Sequence, residues 1–299
     1  VTPSALGTSA AVVTCLSWGI ADYLAALITR RVGEVGALLR IQLAGVPILV
    51  AAWIILREPL PGFASLLWIT PAACCFVIGY LAFFNGLRIG AISLVSPISS
   101  AGAIVPVLAA MLWLGETASG VRLGGLALTL IGIGVLLADP TAIGALAPTG
   151  RRQGVKAGVV TLLAWGTGTA LLLPAVRTAG AFVPVAALRL EVLGIIAAWW
   201  LIQRLNDPST GRLPGREADA RKAGLWTVVV PASVLDLTAF FSYGVALRDA
   251  PTAVAAPIAS AYPLVTILIA RYRLQERLTG REWSGVGLTL IGVGLLGTG

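Results

Sequence analysis

The sequence predicts an all-α integral membrane protein, with about ten transmembrane helices in two five-helix inverted repeats around a central cavity. Three observations predict it. The composition is too apolar for a soluble domain, the chain offers ten long apolar runs, and its two halves repeat each other with an odd number of runs in each.

Of the 299 residues, 58% are hydrophobic and only 11% are charged, with a mean hydropathy of +0.93. Soluble domains carry about 25% charged residues and need them to face water; a bilayer lifts that demand. The net charge of +8 comes from arginines between apolar runs. It reads as topology signals and anionic-lipid contacts and excludes a nucleic-acid patch. Cys15, Cys74 and Cys75 all lie within apolar runs, with no metal-ligand spacing and no disulfide framework. There is no histidine, which excludes a histidine proton relay or a histidine-held metal. No cofactor and no metal are expected.

The runs cover approximately 5–28, 36–56, 64–87, 91–114, 120–138, 155–176, 182–202, 223–247, 251–271 and 282–298. Each is about 17–25 residues, the length that crosses a hydrocarbon core. In lipid every backbone group must be satisfied internally, so these runs become helices. Their continuity argues against the alternating ten-residue strands of a β-barrel. A segment at 141–153, holding Pro148, Arg151 and Arg152, divides the chain into repeats 1–140 and 154–299.

The repeat is explicit. Gly86–Leu136 aligns without gaps on Ala246–Leu296, with roughly 20 of about 50 positions identical. Leu128-Thr129-Leu130-Ile131-Gly132 meets Leu288-Thr289-Leu290-Ile291-Gly292, and Pro97-Ile98 meets Pro257-Ile258. Earlier, Trp18-Gly19 meets Trp165-Gly166, and Leu39-Arg40 meets Leu188-Arg189. Five spans per half force the second half to enter the membrane from the opposite side. That inversion is the geometry of alternating access, and neither an enzyme nor a scaffold predicts it.

Lys and Arg after the odd-numbered spans number about 15, against about four on the other side. The first set includes Arg30, Arg31, Arg151, Arg152, Lys156, Arg221, Lys222, Arg271, Arg273 and Arg277; the second is Arg57, Arg122, Arg177 and Arg248. The first set is expected to be cytoplasmic, with both termini outside.

The two-times-five plan resembles the drug/metabolite transporter superfamily. So do the Trp-Gly pairs, the span ends Leu114-Gly115-Glu116 and Leu274-Gln275-Glu276, and the Gly-rich closing spans 124–134 and 285–294. More narrowly, the chain looks like the ten-helix EamA-type exporters, including the YddG-like amino-acid exporters. The resemblance covers nearly the whole chain and implies efflux of amino acids, related metabolites or toxic compounds from a bacterial inner membrane. It differs at one point: many family members have the N-terminus inside.

Pro97 and its mate Pro257 lie within spans, where proline removes a backbone hydrogen bond and kinks the helix. Interrupted segments at matching places mark a transport site, so both are candidate hinges, flanked by Ser96, Ser99, Ser100, Ser260 and Tyr262. Trp18 and Trp165 lie deeper than an interfacial belt would hold them. With Tyr80, Phe83, Phe240 and Tyr243 they offer aromatic walls for a cavity, a ring face for apolar or cationic groups and an N–H for a carboxylate. Lipid-facing or core packing is the competing role for any single ring. Charges inside the membrane are functional candidates. Asp22 and Arg40 are placed to pair, Arg189 and Glu191 occupy the matching place in the second half, and Asp236 stands where its mate is Phe76. Asp236 fits either a proton or amine site or a satisfied polar contact. The Gly-rich spans 5 and 10 suit close helix packing rather than substrate.

The favoured reading is export of amino acids, aromatic and apolar ones included, and of related small metabolites. A proton-coupled antiporter of cationic drugs, using Asp236, is the second. A membrane-embedded enzyme lacks a catalytic cluster. The expected partners are a small-molecule substrate and the bilayer, with no nucleic acid, and a monomer suffices.

Overall fold

A computed structural model of the protein describes residues 4–57, 59–89, 92–113, 115, 119–138, 148–206, 219–273 and 279–296. Among these the secondary structure is helical throughout. The elements are α1 (Ala5–Leu56), α2 (Phe63–Ile89), α3 (Ile92–Ser100), α4 (Ile104–Trp113), α5 (Gly120–Ala138), α6 (Pro148–Ala179), α7 (Phe182–Asn206), α8 (Asp219–Asp249), α9 (Thr252–Ala259), α10 (Pro263–Arg273) and α11 (Gly280–Leu296). Span hydroxyls are absorbed locally: Thr14, Thr29, Thr161 and Thr289 each donate to the carbonyl four residues back, so little polarity reaches lipid.

Continuous helix over 5–56 conceals two spans. Gly33 is non-helical at φ 73°, ψ 172°, a conformation open essentially to glycine alone. Neighbouring contacts reveal a reversal there. Gly7 lies against Ala250 and Thr14 donates to the Ala239 carbonyl, so residues 5–32 run antiparallel to α8. Ile41 accepts from Ser233 and Gly45 lies against Leu237, so residues 34–56 run parallel to it. With α1 divided and α3–α4 and α9–α10 each counted as one span, ten segments result. Among the described residues, seven uninterrupted or merged helices are long and apolar enough to cross a membrane, while the apolar stretches Leu123–Gly132 and Trp283–Leu295 are shorter.

Contacts recur in repeat-related pairs. Residues 5–32 line up against α8, and their repeat mate α6 lines up against α2, where Thr161 approaches the Gly79 carbonyl. The Leu-Thr-Leu-Ile-Gly motif packs on its own copy. A Cβ added to Gly132 would lie 2.4 Å from the Thr289 nitrogen, and one on Gly292 would lie 2.4 Å from the Thr129 nitrogen. That crossed reciprocity requires α5 and α11 to pass antiparallel, as mates in inverted halves must.

Two differences from the sequence expectation concern boundaries. The connecting segment was expected to end at 153, but α6 already starts at Pro148, a residue suited to a helix's first turn. Pro97 and Pro257 were expected to interrupt their spans, yet both lie inside helix. The interruptions fall later, in the 3₁₀ turn Ala101–Ala103 and at residues 260–262. Pro106 and Pro263 explain the shift: each lacks an N–H for the carbonyl four residues back, at Gly102 and Ala259. Glu116, Glu276, Arg277 and residues 141–147 lie outside the described residues.

Polar clasps close the two ends of the bundle. At one, Arg30 Nε donates to the Leu87 carbonyl (3.3 Å) and Arg88 pairs with Glu34 (3.1 Å). At the other, the Arg177 guanidinium donates to Thr252 Oγ1 (3.1 Å) and Ser4 Oγ to the Asp249 carbonyl (2.9 Å). Between them the outward helix faces are apolar and exposed, as at Leu16, Leu67, Leu130, Leu163 and Leu268. Such a surface needs lipid.

Candidate functional site

The cavity forms where both Trp-Gly pairs meet the interrupted helices of the opposite half. Gly19 lets α1 touch the α9–α10 junction, since a Cβ there would lie 2.4 Å from Val265 Cβ. Gly166 does the same for α6 at the α3–α4 junction, with the Gly102 oxygen and Val105 at 2.7 Å. Each adjacent tryptophan is thereby carried to the centre. The space of about 60 Å³ is lined by Trp18, Asp22, Phe76, Tyr80, Ser99, Ser100, Gly102, Ala103, Pro106, Trp165, Gly166, Thr169, Asp236, Phe240, Tyr243, Ser260 and Tyr262.

The aromatic walls follow the repeat. Trp18 meets Phe240, Tyr243 and Tyr262 edge-on, with ring centres 5.4, 5.2 and 6.0 Å apart. Trp165 meets Tyr80 at 5.4 Å and Phe83 at 4.8 Å. Both sets span the two halves, so separating the halves must unstack them. The Trp165 pyrrole edge fits against Gly79, and its Nε1 has no acceptor there.

Beneath one wall lies a buried polar group. Arg189, only 1% exposed, forms an ion pair with Asp236. Its Nη1 donates to Tyr80 Oη (2.7 Å), and that hydroxyl lies 3.3 Å from Asp236 Oδ1. The guanidinium also lies over the Phe240 ring, 4.8 Å from its centre, a placement that uses the ring quadrupole in a dry setting. Asp236 is therefore held by a cation from the same half, Arg189, while still lining the cavity. In dry surroundings a lone charge is far costlier than a paired one.

Asp22 is the opposite case. It lines the cavity and is 8% exposed, its Oδ2 has no hydrogen-bond partner, and among the described residues no cation pairs with it. The expected Asp22–Arg40 pair does not form. Arg40 is half-buried and donates instead to its own Gly36 carbonyl at 3.0 Å, because that acceptor lies one turn away on the same helix.

Most predicted cavity residues come together: Trp18, Tyr80, Ser99, Ser100, Trp165, Phe240, Tyr243, Ser260 and Tyr262 share the lining. Two do not. Phe83 packs behind Trp165, and Ser96 is fully buried beside the lining residue Tyr262. Glu191 is half-buried beside Thr70, and Arg189 supports the lining from behind. Phe76, Gly102, Ala103, Pro106, Gly166 and Thr169 were not anticipated. Repeat register marks three of them, since Thr169, Gly102 and Phe76 are the mates of Asp22, Tyr262 and Asp236.

Residues 152–298 match the EamA-like transporter family. No curated protein matches the chain in sequence. Among solved structures, one crystal structure aligns with 96% of this chain and 96% of its own at a TM-score of 0.63 and 16% identity, a likeness of fold that spans both halves. The matched stretch is the second repeat nearly from end to end, the first repeat is its copy, and so the chain is an EamA-type member of the drug/metabolite transporter superfamily.

Proposed function

We propose that the protein is a secondary transporter that exports amino acids, aromatic and apolar ones included, and related small metabolites by alternating access. The observation that carries this is the cavity's position: it sits where the halves meet, with aromatic rings and hydroxyls supplied by both. Aromatic walls suit apolar side chains, and a few convergent polar groups orient a zwitterion. At about 60 Å³ the space is well below the roughly 300 Å³ of a small-molecule pocket. Loading therefore requires the halves to part on one side. The excess of Lys and Arg after odd spans supports cytoplasmic placement of those loops in a bacterial inner membrane, with the termini outside.

The antiporter reading loses its main sequence candidate, because Asp236 is engaged by Arg189. Counterflow of a labelled amino-acid panel in proteoliposomes tests the proposal. Wild type should exchange phenylalanine and leucine, and Trp165→Ala should lower exchange at least about tenfold, consistent with losing a ring contact worth ~1.4 kcal/mol. Exchange of no amino acid refutes the substrate class. Normal exchange by Trp165→Ala refutes the cavity as the route.

A further inference from the structure

One acid at the cavity has a buried oxygen without a partner among the described residues. Two carboxylates line it, those of Asp22 and Asp236. Arg189 neutralises Asp236, and no Lys or Arg is part of the lining. Asp22 is thus a buried acceptor left bare, within electrostatic reach of Asp236 and Tyr262. A carboxylate out of water is expensive unless a cation or donor meets it. Trp18 lies one helical turn before Asp22 on the same face and also lines the cavity. A cation held by Asp22 therefore has a ring beside it, and cation–π attraction adds to the ion pair. The repeat mate of Asp22 is the neutral Thr169, so the two-fold plan supplies this charge once.

We infer that Asp22 is the ammonium-binding subsite of the cavity, and that the ligands it selects carry a protonated amine beside an apolar or aromatic body. The inference rests on the transport reading and deepens it. One amine binds per cavity, while the Arg189–Asp236 pair is a fixed structural unit. Analogues whose amine is acylated or missing leave Asp22 unmet and are rejected.

Purified protein in nanodiscs is probed by binding of labelled L-phenylalanine, with phenethylamine, N-acetyl-L-phenylalanine and 3-phenylpropionate as competitors. Thermal stabilisation by each compound is measured in parallel. Phenylalanine and phenethylamine should bind, and the two compounds without a free amine should not compete. Asp22→Asn should keep the wild-type elution profile and melting temperature and lose about a hundredfold in affinity for both amines. Asp22→Glu should recover part of it. Wild-type affinity in Asp22→Asn, or competition by N-acetyl-L-phenylalanine, overturns the subsite while leaving amino-acid export standing. If phenethylamine stabilises wild type but not Asp22→Asn, and phenylalanine does neither, the subsite holds and the amino-acid reading falls. If no amine binds wild type, both fall.

Discussion

The two halves share a scaffold and differ in chemistry. Each has a Trp-Gly pair pressed against an interrupted helix of the other half, and each contributes one copy of the motif that packs α5 on α11. At corresponding positions the polar residues part company. Arg189 is buried in an ion pair, whereas its mate Arg40 satisfies its own helix. Asp236 answers to Phe76, Tyr80 to Phe240, and Asp22 to Thr169. Symmetry supplies two equivalent ways of packing the halves, which a carrier needs if it is to open on either side. The departures from symmetry gather the acidic side chains of the cavity, Asp22 and Asp236, at positions whose mates are neutral.

The largest effect that should separate the halves is at the paired arginines. Arg189→Ala leaves Asp236 buried with no cation and only the Tyr80 hydroxyl, and should cost about 3–5 kcal/mol. The expected result is a large drop in detergent melting temperature or loss of monodisperse protein. Arg40→Ala should cost under about 1 kcal/mol, since its half-exposed group bonds only a local carbonyl. Joint replacement by Arg189→Met and Asp236→Leu should recover most of the stability, because no charge is then left alone. Equal losses at both arginines would erase the asymmetry.

A smaller effect should unite the halves. Gly132→Ala and Gly292→Ala each drive a methyl into a backbone nitrogen at 2.4 Å, so each should destabilise by about 1–3 kcal/mol. Similar values are expected, and unlike values would show that the antiparallel contact is not reciprocal. Smallest of all, Gly134→Ala and Gly294→Ala meet no atom within 4 Å. They should be neutral or stabilise by up to about 1 kcal/mol through helix propensity.

Much of this was legible in the sequence, for identifiable reasons. Span lengths follow from bilayer thickness, and inversion follows from an odd count, so both could be read directly. The tryptophans came from repeat register, which is independent of any single ring's role. Helix interruption falls a few residues beyond Pro97 and Pro257. The second prolines, Pro106 and Pro263, decide which carbonyls lose their helical donor. Closeness along the chain points Asp22 to Arg40, but which side chains meet depends on how the spans rotate about their axes, which the sequence does not carry. Arg189 finds Asp236 across a span interface, and no period along one helix reveals that contact. The unmatched state of Asp22 did leave a trace, since the register joining Trp18 to Trp165 sets it opposite Thr169.

The central claim, that one cavity between the halves opens alternately to each side, has a direct test. In a variant with Cys15, Cys74 and Cys75 replaced, Ser100→Cys and Ser260→Cys place a thiol at repeat-related points of the lining. Labelling by an impermeant methanethiosulfonate is measured in right-side-out and in inverted vesicles, with and without phenylalanine. Both positions should react from both sides, and substrate should slow each reaction. Reaction from one side only, at both positions and whatever the substrate, would contradict alternating access and leave a cavity that opens one way.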